Sequence, residues 1–400
     1  MKSPDNKKLI ICHIITRMIV GGAQENTLLT IIDHIEKGHK VFLVTGESSG
    51  PEGELLKNKK FSNLKIISCP ELVRNLSPLK DLQAYFSLKK ILKDLTPDVV
   101  HTHSSKAGII GRAAAYKVKV PFICHTVHGQ AFHRYEKKWK NFIYKTAERW
   151  AAVRCHKIFA VADAMIQQCI DARIAAPEKY KTVYSGMELE RYLNPDISEI
   201  TALREKLQIP KNANVIITVA RLFPLKGYEY LLPAAEIISK SLDNVYFLVV
   251  GNGIMYDEIK VKTEKAGLKF VFSGLVPPAD VYKYIAVSDL MLHLSLREGL
   301  PRTVVQSLAS GKPAIAFDLD GSPEVIIHGK SGYIAEPENY RQVANFALKL
   351  LKSPDDLKTM GKYGRKLVKN KFDWRRMGDI LEEEYRKGLE EQEAGRKNNE

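Results

Sequence analysis

Arg297 to Glu324 reads R-E-G-L-P-R-T-V-V-Q-S-L-A-S-G-K-P-A-I-A-F-D-L-D-G-S-P-E, and this stretch decides the fold. An apolar strand-like run, Asp289 to Leu296, leads into Glu298-Gly299. Thr303 to Ser310 has the spacing of a helix with Val304, Val305 and Leu308 on its apolar side. Gly311 ends that helix, and Lys312-Pro313 leads into a short strand at Ala314–Phe317. A turn containing Gly321 then precedes a second helix near Pro323-Glu324. Two strand-to-helix turns therefore sit side by side at one edge of a parallel sheet. Helix N-termini there offer unpaired N–H groups and partial positive charge to a diphosphate. Glu298 cannot bind phosphate and must accept from hydroxyls. Together they describe a site for a sugar nucleotide.

The motif E-G-L-P-x5-Q (298–306) followed by S-G-K-P-A-I-A-F-D-L-D-G-S-P-E resembles the donor-site signature of retaining glycosyltransferase family 4. The resemblance implies an α/β chain of the GT-B fold. Two doubly wound parallel sheets would face a central cleft, with the last helix crossing back to the first domain. The family pattern has glutamate, seven residues, then glutamate; Glu298 matches the first and Gln306 replaces the second.

Outward from this stretch, strands and helices alternate along both halves, as in doubly wound sheets. The reading divides the chain into an acceptor-side domain at 1–186, a nucleotide-sugar domain at 187–371, and a crossover helix with a frayed tail at 372–400. Residues 46–62 read as a loop or short helix. Pro78 to Leu95 reads as a helix with Leu79, Leu82, Phe86 and Leu92 as its apolar residues. Residues 336–371 read as helical, with breaks at Gly361 and Gly364.

The 400 residues carry a net charge of +15. Residues 1–190 hold 30 Lys/Arg against 18 Asp/Glu, and residues 191–400 hold 31 against 28. A basic first half suits an anionic partner such as acidic lipid headgroups or a phosphate-bearing acceptor, or else serves solubility alone. Nucleic acid is not expected, since charge alone speaks for it. The segment 132–155 interleaves basic and aromatic residues. It could lie on an anionic membrane, or bury its rings and leave its lysines in water. No apolar run is long enough to span a bilayer, and the Leu9–Ile15 run reads as a first strand and not a secretory leader. The five cysteines lack metal-like spacing and read as buried thiols of a reducing cytoplasm.

Arg221 and Lys226, five residues apart on one strand-to-helix loop, can clamp a diphosphate and neutralise the charge that develops as the sugar leaves. Gly21-Gly22 follows the first strand and permits close backbone approach to a ligand. His128 ends a strand, where open α/β sheets bind ligands. The cation Lys106 at a helix start hints at an anionic ligand, and Ser104 or Ser105 there reads as a helix cap. None of His101, His103, His125 or His128 has metal-site spacing with the others. Asp318-Leu-Asp320 has the spacing of a cation-binding pair but falls in the glycine turn, so no metal is expected, and no cofactor.

The resemblance adds roles. Arg221, Lys226, Glu298 and His128 become the catalytic set, with His128 touching sugar or acceptor. Gly21, Gly22, Leu275, Val276, Gly299, Leu300 and Gln306 hold the donor; Lys106 and His103 face the acceptor. The implied reaction is transfer of a hexosyl unit, with retention and without metal, from a nucleotide-diphosphate sugar such as a UDP-sugar. The acceptor would be a saccharide or lipid-phosphate-linked sugar in surface polysaccharide assembly, in the cytoplasm or on the inner membrane face. A GT-B epimerase, or a non-catalytic protein that binds a nucleotide sugar, is the alternative. The glycine spacing disfavours an NAD enzyme.

Overall fold

Short β-branched runs bounded by Gly, Pro and Asp become strands, the central ones buried on both faces as parallel sheets require. A computed structural model describes residues 7–48, 55–56 and 63–397. The expected loop at 46–62 lies largely outside these residues. The chain forms two units: residues 1–187 with 374–400, and residues 188–373.

In the first unit, seven strands form one sheet: β1 (Ile10–Ile15), β2 (Lys40–Thr45), β3 (Leu64–Ser68), β4 (Val99–His103), β5 (Phe122–Val127), β6 (Lys157–Ala160) and β7 (Tyr180–Thr182). Their order is β3-β2-β1-β4-β5-β6-β7, all parallel. The strand order reverses between β1 and β4. The second unit repeats the scheme with β8 (Asn214–Val219), β9 (Val245–Val250), β10 (Phe270–Gly274), β11 (Leu290–His293), β12 (Ala314–Phe317) and β13 (Gly332–Ala335). Its order is β10-β9-β8-β11-β12-β13, again parallel. Here the reversal falls between β8 and β11. Ligands of such sheets bind beyond the strand carboxyl ends at the reversal.

The last helix, Trp374–Lys397, belongs to the first unit. Trp374, Met377, Leu381 and Tyr385 share a core with Ile11, Val99, Phe122 and Phe159. Gly388 makes that packing possible, since a Cβ there would stand 2.1 Å from the Phe122 ring. The tail from Glu390, expected to fray, is helical through Lys397.

Two local readings are corrected. The Pro78–Leu95 helix forms where expected and buries Leu92 as expected, but Ala84 and Leu88 complete its inward face, whereas Leu79 and Phe86 are 68% and 55% exposed. The sequence carries two apolar stripes, and the one spaced i, i+4 fits the sheet. Gly361 and Gly364 break nothing. They lie inside the continuous helix Pro354–Lys371, where small residues let it press on Gly311 and Leu308. The break between the two helices falls instead at Lys352–Ser353.

Candidate active site

In the second unit, β11 ends at His293 and the chain runs through Ser295 to Glu298 before the helix Arg302–Ala309. The neighbouring loop after β8 carries Arg221 and Lys226. The two loops are knitted by the Leu296 N–H donating to the Leu225 carbonyl at 2.9 Å and the Ser295 hydroxyl donating to the same oxygen at 3.2 Å. Gly227 permits this approach: its φ is +80°, and a Cβ would lie 1.9 Å from the Leu294 carbonyl oxygen. Lys226 Nζ is thereby delivered to Glu298 Oε1 at 2.5 Å.

The Glu298 carboxylate also stands 3.7 Å from His293 Nε2. Burial alone would raise its pKa, but the Lys226 charge and hydrogen bonds from Lys226 and Ser295 hold it below the ordinary carboxylate value. His293 goes the other way: burial lowers it to about 4, against the pull of Glu298, so it is neutral near pH 7. The main chain of Glu298 is fixed separately, its N–H donating to Asp320 Oδ2 at 2.6 Å. The Gly321 N–H donates to the Gly299 carbonyl at 3.1 Å, joining the two adjacent strand-to-helix turns. Asp320, read only as part of a glycine turn, therefore orients the glutamate. His293 and Ser295 precede Glu298 on its own strand and loop, Asp320 reaches it from the next strand-to-helix turn, and spacing along the chain marks none of these contacts.

Among the other residues assigned to the donor, Gly299 and Leu300 are buried beside Glu298, Gln306 is half-buried on the helix Arg302–Ala309, and Arg221, Leu275 and Val276 lie at strand carboxyl ends. The Arg221 guanidinium lies 5.1 Å from the Phe223 ring centroid. The Gly311-Lys312-Pro313 turn, part of the motif, precedes β12. It lies at the amino edge of the sheet, away from the strand carboxyl ends.

In the first unit, Gly21 and Gly22 open the helix Gly22–Glu36 after β1. Ser104 follows β4 with φ 60° and ψ 155°, a strained geometry costing about 1–3 kcal/mol. It sits at the cap position but does not cap; its Oγ pairs with Thr16 Oγ1 at 2.8 Å, tying β1 to β4 at the reversal. Lys106 Nζ is 2.6 Å from Asp81 Oδ1 and also donates to the Asn75 carbonyl. Asp81 thus meets its charge within the protein, as Glu298 meets that of Lys226. His103 is fully buried, so it reaches any ligand only through His128, with which it shares a 3.1 Å hydrogen bond.

His128 lines a cavity of about 290 Å³ together with Ser105, Thr126, Glu148 and Tyr180. Behind it the strand register groups histidines that are far apart in sequence. His13 on β1 faces His101 on β4, and ligand atoms of His13, His101 and His103 lie within 4.8 Å of one another. Spacing had suggested no such grouping. All of their nitrogens except His13 Nε2 bond to protein partners: His13 Nδ1 to His103 Nε2 at 3.0 Å, His103 Nδ1 to His128 Nε2 at 3.1 Å, and His101 to Tyr385 Oη at 2.5 Å and Thr126 Oγ1 at 2.7 Å. Burial pushes His13 down to about 3 and His101, His103 and His125 well below their usual value. All five cysteines are buried and free; burial pushes the Cys12 thiol up to about 12.

The basic-aromatic segment resolves into the helix Lys138–Ala152. Phe132 joins the core and Tyr144 packs against it, whereas Trp139 and Phe142 are 60% and 69% exposed, so the segment buries only part of its rings. No helix among the described residues is long and apolar enough to cross a membrane.

Comparison with known proteins covers both units. The family described as Glycosyltransferase Family 4 matches residues 20–191, and Glycosyl transferases group 1 matches residues 199–367. The chain is 29% identical over 359 residues to the Escherichia coli UDP-Gal:alpha-D-GlcNAc-diphosphoundecaprenol alpha-1,3-galactosyltransferase, spanning 89% of this chain and 90% of the relative. It is 30% identical over 274 residues to an uncharacterised 41.2 kDa protein in the cps region of Klebsiella pneumoniae, spanning 68% and 73%. Among solved structures, Anabaena Alr3699/HepE in complex with UDP superposes with a TM-score of 0.77 at 21% identity, covering 94% of this chain and 98% of that one. WaaG, a glycosyltransferase involved in lipopolysaccharide biosynthesis, gives 0.74 at 17% identity, covering 92% and 99%. With two parallel sheets, a terminal helix returned to the first unit and family matches across both halves, the chain belongs to glycosyltransferase family 4 and has the GT-B fold.

Proposed function

We propose that the protein transfers a hexosyl unit, with retention and without a divalent cation, from a UDP-sugar to a lipid-diphosphate-linked saccharide in surface polysaccharide assembly. The observation that carries this reading is the Lys226–Glu298 pair at the strand reversal of the second unit, 2.5 Å apart and backed by neutral His293. Glu298, kept ionised, accepts from sugar hydroxyls. Lys226 and Arg221 face the diphosphate and offset the charge that builds on it as the glycosidic bond breaks, the part a metal plays elsewhere. The leaving phosphate takes the proton of the attacking hydroxyl, and His128 bonds to the sugar or acceptor. Near full-length similarity to an enzyme named for UDP-galactose and a diphosphoundecaprenol acceptor supports the choice of donor and acceptor class.

The acceptor side, in this reading, works at an anionic membrane on the cytoplasmic face. The helices Pro78–Leu95 and Lys138–Ala152 both pack on Ser105–Lys117. They expose Leu79, Leu82, Phe86, Trp139 and Phe142 among lysines, the composition of an interfacial surface.

The test is a transfer assay with UDP-galactose, UDP-glucose and UDP-N-acetylglucosamine against a GlcNAc-diphospholipid, in excess EDTA, with NMR of the product anomer. The expected result is an α-linked product formed without metal. An inverted product, or strict Mg²⁺ dependence, would overturn the mechanism.

A further inference from the structure

His128, His103 and His13 form one line of imidazoles joined Nε2 to Nδ1: 3.1 Å from His128 Nε2 to His103 Nδ1, then 3.0 Å from His103 Nε2 to His13 Nδ1. His13 and His103 are fully buried and neutral. A neutral imidazole has one N–H and one lone pair, so it donates on one side and accepts on the other. The tautomers along the line are therefore coupled, and only two arrangements keep both hydrogen bonds. If donation runs inward from His128, all three rings are Nε2–H, and the line ends on a His13 Nε2–H. If it runs outward from His13, all three are Nδ1–H and the line ends on a His13 Nε2 lone pair. His13 Nε2 has no partner in the core. An orphaned buried N–H is the rarer and costlier of the two ends. The rings that flank His13, His34 and His101, do not alter this. His34 stacks on His13 at 5.8 Å without bonding to it, and both His101 nitrogens are held by Tyr385 and Thr126.

We propose that His103 and His13 are positioning residues that keep the Nε2 of His128 bare and its proton on Nδ1, making its Nδ1 a hydrogen-bond donor and not a base. An oxygen with a lone pair, such as a sugar hydroxyl or ring ether, is then what His128 recognises. Proton abstraction from the acceptor is left to the leaving phosphate. This rests on His128 being part of the site proposed above, but the tautomer is measurable without turnover.

The experiment is long-range proton–nitrogen NMR on full-length protein labelled with ¹⁵N-histidine at pH 7.5, with His128 assigned from His128→Gln. In the wild type, His128 and His103 are expected to show a protonated Nδ1 and a bare Nε2. In His103→Leu, which removes the donor facing His128 Nε2, the Nδ1–H signal of His128 should be lost in favour of the Nε2–H form that free imidazole prefers. In His103→Asn, whose side-chain amide reaches the place of Nδ1, it should be retained. The His128 Nδ1–H should again be lost in His13→Phe, which leaves His103 untouched and serves if His103→Leu does not fold. A wild-type His128 found as Nε2–H, or one whose pattern survives every one of these changes, overturns the proposal. A correct tautomer with His128→Gln at normal turnover would leave the relay standing and remove His128 from the site.

Discussion

At its strand reversal the first unit places neutral imidazoles where the second places an ion pair. Both sheets use the same parallel topology, and both bury histidine at the end of a central strand. In the second unit His293 lies beside a carboxylate and an ammonium, a polarised group poised for charge that appears and disappears. In the first, His13, His101, His103 and His125 sit among hydroxyls and one another, a hydrogen-bonded lattice with no counter-charge. On the reading proposed above, one fold holds an electrostatic site and a tautomer-controlled one, and the difference is set by what the loops beyond the strands bring in.

Acid should separate the two units by the largest margin. A histidine whose folded pKa lies below its ordinary 6.5 stabilises the fold fully above that pH, and the contribution is lost as pH falls toward the folded value. Among the described residues the first unit has six such groups, His13, His34, His39, His101, His103 and His125. At about 1.4 kcal/mol per pH unit, each that stays neutral gives up roughly 2 kcal/mol between pH 6.5 and 5. The second unit has His293 alone in that window among the described residues. Glu298, with its pKa depressed, loses its contribution only as pH falls below the ordinary carboxylate range. Amide hydrogen exchange at pH 5 should therefore open β1, β4 and β5 before β8 and β11; simultaneous opening would erase the contrast.

Changing the ion pair should hit turnover hardest. Glu298→Ala, or Arg221→Ala with Lys226→Ala, is expected to reduce kcat/KM by about 3–4 kcal/mol, a hundred- to thousand-fold, with little change in Tm. Near-normal turnover in either would detach these residues from the chemistry. On the first unit, Trp139→Ser with Phe142→Ser should weaken retention on anionic liposomes by about 1–3 kcal/mol while leaving soluble-donor hydrolysis unchanged. Equal retention of variant and wild type at low salt would remove the membrane surface from the function.

The smallest effect is expected at Gln306. A glutamate there could accept from both ribose hydroxyls with charge assistance, whereas glutamine offers one acceptor oxygen and an NH₂. Gln306→Glu should tighten UDP binding by up to about 1 kcal/mol, roughly fivefold, or leave it near neutral. Calorimetry reads this directly, and a marked loss of affinity would show that the amide N–H makes a needed bond.

The residues themselves determined the alternation of strand and helix, the two sheets and the motif around Glu298, because turn chemistry and apolar runs are local properties. That Arg221 and Lys226 share one short loop after β8 was legible for the same reason. Tertiary structure alone decided that the inward face of Pro78–Leu95 is Ala84, Leu88 and Leu92, since two apolar stripes compete on one helix. It also decided that Asp81 neutralises Lys106, that Asp320 holds the Glu298 main chain, and that His13 meets His103 across 90 residues. Each of these is a pairing between segments whose register is set by the packing of the whole sheet, and spacing along the chain carries no record of it.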